Sequence, residues 1–279
     1  MNSCKIILTT TLICLVSLVQ GQEKPLPLPK CKNGFIVIAH RGSHLVKPEN
    51  TLAAIEEAIQ LGADYVEIDL RTTKDGALVL SHNETVDQQT NGIGRVRDLK
   101  LEEIKNLLVK SRDGDVYRIP SFTEVLKICK NRINIYLDFK DADAELSYRE
   151  IKAAAMENQI LVYLNKADQY VDWKRTAPEM PLMSSLSKAI KTKEELEASL
   201  AQHALQAVDN ITDPVILAAL REKGISVFLD VQSTDENPAK WKAAMRKGVQ
   251  GVQTDHPGDL ISYLKKYKLR DGDPEVKIK

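Results

Sequence analysis

Four short stretches hold the residues able to do chemistry: His40-Arg41-Gly42, Pro48-Glu49-Asn50-Thr51, Glu67-Ile68-Asp69 and Ser81-His82-Asn83. Two histidines, an arginine and several carboxylates this close together suggest a metal-dependent site for an anion, and phosphate is the first expectation. Glu67 and Asp69 stand at i and i+2 of a segment that reads as a strand, so both point the same way. Two carboxylates side by side repel unless a cation joins them. All-oxygen ligands favour a hard divalent ion, Mg²⁺ or Ca²⁺. The plainer alternative is a salt-bridged pair on an exposed edge strand. His40 and His82 each follow a strand, where either suits proton transfer near neutral pH. Arg41 can grip a phosphate through two nitrogens or pair with Glu49. Asp138 and Lys140 repeat the i, i+2 spacing at the end of another strand. They add a third candidate metal ligand and a second cation for phosphate.

These residues need elements to carry them. Phe35–Ala39 is a continuous apolar run, as expected of a strand buried on both faces. Thr51–Leu61 places Leu52, Ile55 and Ile59 on one helical face, with Asn50 a natural N-cap. Ala63–Leu70 is the next strand, and Leu78–Ser81 follows a Lys74-Asp75-Gly76 turn. Residues 83–121 read as an excursion containing a short helix near Leu101–Leu108. Thereafter strands at 133–139, 161–164, 182–185, 204–208, 226–231 and 251–254 alternate with helices, the last helix following Pro257. Pro214 and Pro238 suit first helical turns. Strict alternation implies a parallel sheet. Eight principal strands in this length favour a closed α/β fold, a (β/α)₈ TIM barrel with a small insertion after the second strand region. No glycine-rich nucleotide motif supports an open sheet.

The motifs resemble those of the glycerophosphodiester phosphodiesterase family, whose pattern runs HRG, PENT, E-x-D, T-x-DG and a histidine after the following strand. Gly248–Pro257 resembles the family's last strand and turn. The resemblance covers nearly the whole expected mature chain. It implies a barrel of the phospholipase-C-like phosphodiesterase type that hydrolyses glycerophosphodiesters to glycerol phosphate and an alcohol with a divalent cation. Carried over by position, it makes Glu67, Asp69 and Asp138 metal ligands and His40 and His82 the acid–base pair. Arg41 and Lys140 would hold phosphate. Glu49 would orient Arg41 or border the metal, and Asn50 would mainly cap its helix. Three positions depart from the pattern: Asp138 stands where Glu is usual, Asn83 where Asp is usual, and Leu229 where a pocket-lining Trp is usual. Related readings are a phosphodiesterase for lysophospholipids or glycosylated phosphodiesters, and a catalytically weak phosphodiester-binding protein.

Composition frames these expectations. Lys5, the apolar run Ile6–Val19 and the small residues near Gly21 mark residues 1–21 as a secretory signal peptide, too short and wrongly flanked for a stable membrane span. Export to the periplasm or medium is expected. Residues 22–34 read as a Pro-rich linker and 35–279 as the barrel domain. Lys+Arg and Asp+Glu both number 39, and Lys5 is the one charged side chain of the leader, so the mature chain carries a net charge of −1. No basic excess points to nucleic acid; the expected partner is a small glycerophosphodiester, and the sequence is silent on oligomeric state. Cys31 and Cys129 remain after cleavage, with no zinc spacing, and read as two thiols that are free rather than paired. His44 and His203 are expected to be exposed, His256 could border the substrate, and Trp173 and Trp241 read as helix packing.

Overall fold

The computed structural model describes residues 27–270. The expected signal peptide and the first residues of the linker lie outside the described residues. The strands are β1 (Ile36–Ala39), β2 (Tyr65–Thr72), β3 (Leu78–Leu80), β4 (Asn134–Phe139), β5 (Ile160–Leu164), β6 (Leu182–Ser185), β7 (Ala207–Asp209), β8 (Ser226–Asp230) and β9 (Gly251–Thr254). Between them run helices α1 (Leu52–Leu61), α2 (Leu101–Asn106), α3 (Phe122–Cys129), α4 (Ala144–Ala154), α5 (Ala167–Thr176), α6 (Lys193–Gln202), α7 (Pro214–Glu222), α8 (Pro238–Arg246) and α9 (Pro257–Lys266). All strands but β3 pair in parallel, and β1 meets both β2 and β9, so the sheet closes on itself as an eight-stranded (β/α)₈ barrel.

Alternation along the strands sorts the side chains into two cores. Residues facing the helices, such as Val66, Ile68, Leu137 and Val252, join the large layer between sheet and helices, which also buries Trp173 and Trp241. Residues facing the lumen, among them Ile38, Tyr65, Tyr136, Leu161, Met183, Ala207 and Phe228, fill the barrel below its C-terminal mouth. Two residues further along each strand, the lumen-facing position therefore opens at that mouth.

The length of β2 shapes the site. Its first residues pair with β1, while Leu70–Thr72 pair antiparallel with β3. β3 thus stands outside the closed ring and carries the next turn over the mouth. The insertion that follows has its own small core of Val79, Val86, Val96, Ile104, Val109 and Ile119. At the opposite end, Leu28 and Cys31 pack against the lumen core, and the Tyr65 hydroxyl donates to Pro29 O at 3.1 Å. The described part of the expected linker is therefore seated on the barrel floor. Cys31 and Cys129 are both free thiols, each pushed up to about 12 by burial.

Candidate active site

Glu67 and Asp69 both face the lumen from β2 and are almost wholly buried, at 2% and 1% exposure. Asp138 reaches the same point from β4, with which β2 is in register at Asp69. One carboxylate oxygen from each lies within 4.8 Å of the others. The shorter arm of Asp138 thus still brings its oxygen to the cluster. Burial, then the charges of Asp69 and Asp138, push the Glu67 carboxyl well above its ordinary range. Three hard oxygen donors held together against their own repulsion fit a divalent cation such as Mg²⁺ or Ca²⁺.

The cationic side chains lean on this cluster. Lys140 Nζ sits 3.1 Å from Asp69 and also pairs with Asp138. Arg41 donates its backbone N–H to Glu67 at 2.8 Å and Nη1 to Glu49 at 2.8 Å. Its Nε lies 3.5 Å from Asp69 without a hydrogen bond. Glu49, which receives that Nη1 bond, is itself held by Gln89 of the insertion.

This arrangement depends on an unusual backbone. Arg41 and Asn50 have positive φ, 51° and 54°, and the Asn50 N–H donates to Arg41 O at 3.0 Å. Gly42 has φ of 87°, and a Cβ there would lie 2.7 Å from the carbonyl carbon of Ala54 in α1. The glycine of the HRG motif is needed for both reasons. The cap of α1 corrects an expectation: Thr51, not Asn50, accepts from Ala54 N at 3.2 Å. Asn50 instead donates to Asp69 Oδ2 at 2.7 Å and accepts from the Asp69 N–H at 3.2 Å. Its left-handed backbone turns the side chain into the site and leaves Thr51 extended, as an N-cap must be.

His40 follows β1, and its Nδ1 lies 2.7 Å from Asp255 Oδ1. His44 also reaches Asp255, with Nε2 at 2.9 Å, and its ring meets His40 edge to face with centroids 5.6 Å apart. The expectation that His44 is exposed fails, because the loop after β1 folds back beside the end of β9. Burial pushes the Asp255 carboxyl up, but the hydrogen bonds from His40 and His44 outweigh it and hold it well below the carboxylate range. Neither Asp255 nor His44 was singled out from sequence, although a carboxylate straight after the last strand is a usable signal once the barrel is assumed.

His82 follows β3, and its Nδ1 stands 3.0 Å from Asn83 Oδ1. The turn is pinned by Arg71, the lumen-facing residue after Asp69 on β2. Its Nε donates to Ser81 O at 3.0 Å, Nη2 to His82 O at 2.6 Å and Nη1 to Asp141 at 2.7 Å. Asn165, after β5, donates to Asp138 at 2.6 Å. Arg71 and Asn165 were invisible as site residues in the sequence, since only the folded turn gives them partners.

Three other expectations change. Leu229 is buried in the outer layer against the helices, so it does not line the pocket. Phe228 faces the lumen, and alternation puts Asp230 at the mouth instead. His256 turns towards its own helix, with Nδ1 3.3 Å from Asp259. His203 is half-buried against Tyr170, ring centroids 4.6 Å apart.

Residues 40–259 match the model of the glycerophosphoryl diester phosphodiesterase family. A glycerophosphodiester phosphodiesterase of Caldanaerobacter subterraneus is 30% identical over 241 residues, covering 83% of this chain and 98% of its own. The crystal structure of a glycerophosphodiester phosphodiesterase from Agrobacterium tumefaciens superposes with a TM-score of 0.74 at 25% identity, covering 82% of this chain and 99% of that one. A phosphodiesterase of Oleispira antarctica, solved with its product sn-glycerol-3-phosphate, shares the fold with a TM-score of 0.71 at 22% identity, over 82% of this chain and 96% of its own.

Proposed function

We propose a mechanism on one premise: this chain belongs to the glycerophosphoryl diester phosphodiesterase family. The reaction is hydrolysis of a glycerophosphodiester to glycerol phosphate and an alcohol. The observation that carries it is the convergence of Glu67, Asp69 and Asp138 beside Arg41 and Lys140. That set offers a seat for a metal and two cations for a phosphate.

A divalent ion held by Glu67, Asp69 and Asp138 would act as a Lewis acid on a phosphoryl oxygen. Arg41 and Lys140 supply positive charge where negative charge develops on the phosphorus oxygens. Asp255 accepts from His40 Nδ1–H, which leaves Nε2 as the basic nitrogen and supports the imidazolium once it forms. This suits His40 to take the proton from the nucleophile, either water directly or the neighbouring glycerol hydroxyl, whose cyclic phosphate a water then opens to glycerol phosphate. His82 is backed by the neutral amide oxygen of Asn83. That contact orients the ring at the mouth after β3, and His82 serves as the acid towards the leaving oxygen. Export by cleavage after residue 21 belongs to the same reading, and the N-terminal sequence of exported protein tests it.

The deciding assay is release of glycerol phosphate from glycerophosphoethanolamine and glycerophosphocholine, with EDTA and with Mg²⁺ or Ca²⁺ restored. Metal-dependent release, reduced at least about a hundredfold in His40→Ala and His82→Ala, is the expected result. Folded protein that releases nothing with either metal would refute the proposal.

A further inference from the structure

The mouth of the barrel has a second acidic side, across β5 to β8, that the phosphate chemistry leaves unused. Asp209 ends β7 and Asp230 ends β8, each two residues beyond a lumen-core residue, Ala207 and Phe228. Asn210 donates from one amide nitrogen to both, at 3.1 Å to Asp209 Oδ2 and 2.7 Å to Asp230 Oδ2. Tyr163, on β5, donates to Asp209 at 3.3 Å and shares a hydrogen bond with Ser185 at 2.8 Å. Tyr163 is the register partner of Asp138, and Asp230 and Ile38, two residues before His40, both pair with Gln253, which places this group beside the phosphate site.

Its charge is uncompensated. Glu67, Asp69 and Asp138 have Lys140 and Arg41 close by. Asp209 and Asp230 have no ion pair among the described residues. Asp209 is only 6% exposed, yet its Oδ1 has no hydrogen-bond partner. Gln253, paired in register with Asp230 on β9 and 7% exposed, has an equally orphaned Oε1. A buried acceptor without a donor is costly, and a buried carboxylate without a cation more so. What this side of the mouth lacks is positive charge and hydrogen-bond donors. Asp230 itself is exposed, so a ligand can reach it from the mouth.

We propose that Asp230, with Asp209 and Tyr163 behind it, forms a subsite for a cationic alcohol. The enzyme then selects diesters whose alcohol carries an ammonium group. This inference rests on the phosphodiesterase reading for its placement of the phosphate. It adds what that reading leaves open, the class of head group. The cation enters beside the phosphate, and no covalent step involves the two carboxylates. A neutral polyol would find acceptors here but would leave the charge of the pair unanswered.

The test compares kcat/KM of the full chain for glycerophosphoethanolamine, glycerophosphocholine and the neutral-alcohol glycerophosphoglycerol. The expected preference for the charged alcohols is about tenfold or more, the scale of one charge-assisted contact. In Asp230→Asn the preference collapses towards one, chiefly through KM for the charged substrates, and Asp209→Asn lowers it in the same direction. A ratio near one in the wild type, or one unmoved by both isosteric changes, overturns the subsite while leaving the phosphodiesterase reaction standing. Absence of release from all three diesters instead refutes the reaction. Calorimetric binding then decides the subsite alone: tighter binding of glycerophosphoethanolamine than glycerophosphoglycerol, lost in Asp230→Asn, supports it, and equal binding overturns it. Loss of a bound Ca²⁺ equivalent in Asp230→Asn would also overturn it, by making the pair a metal site.

Discussion

Asp255 serves two histidines with one oxygen, at 2.7 Å from His40 and 2.9 Å from His44. Its carboxyl is held low in the folded state, so its contribution to stability is present above the ordinary carboxylate range and lost as pH falls through the lowered value. Asp255→Asn should therefore flatten the acid-side loss of stability, read as the melting temperature between about pH 5 and pH 2. It should also cost about a hundredfold in kcat, because His40 loses the partner that fixes its ring. An unchanged kcat would remove Asp255 from the reaction. His44→Ala is the informative contrast: it leaves the His40 bond to Asp255 in place, and a much smaller loss is expected.

Short elements hold these side chains by narrow margins. The turn from Arg41 to Thr51 needs two non-glycine residues and one glycine at positive φ. At Gly42 a methyl group would meet the backbone of α1, which cannot move aside as a flexible side chain could. Gly42→Ala should destabilise the fold by about 2–4 kcal/mol in denaturant titration, from left-handed strain and overpacking together. Thr51→Ala, which removes the cap of α1 together with the hydroxyl's bond to Pro48 O at 2.7 Å, should cost about 1–2 kcal/mol. The turn after β3 hangs on Arg71, whose guanidinium makes three separate contacts. Arg71→Lys keeps the charge but not the fork. We expect kcat to fall about tenfold or more with KM nearly unchanged, since Arg71 positions His82 and does not touch substrate. Unchanged kcat would show that the turn holds without it.

At the scale of the whole barrel, the site is stored repulsion. The raised Glu67 carboxyl means that the metal-free fold keeps this group's contribution below the ordinary carboxylate range and loses it as pH rises through the raised value. A divalent ion that binds only the folded state relieves that loss. The melting temperature in Mg²⁺ or Ca²⁺ minus that in EDTA should thus widen between about pH 5 and pH 8. In Glu67→Gln the difference should shrink and lose its pH dependence. A difference independent of pH in the wild type would mean that the cluster does not bind the ion.

The periodicity of the strands and helices was readable along the chain, because alternation and helical spacing are local consequences of which faces are buried. The same locality made Glu67 and Asp69 legible: i, i+2 geometry on one strand needs no neighbour. Asn50 was misread for the opposite reason. Capping is a local preference, but a positive φ and a partner on β2 overrode it. Leu229 was misread by one residue, and in a strand one residue exchanges pocket for outer core. The residue types on one strand and the order of the elements were determined by sequence alone. Which strand ends become neighbours was decided by closure of the barrel. Closure brings Asp255, after the last strand, to His40, after the first, and gathers Asp209 and Asp230 beside the phosphate site, contacts between residues far apart in the chain that no local pattern encodes.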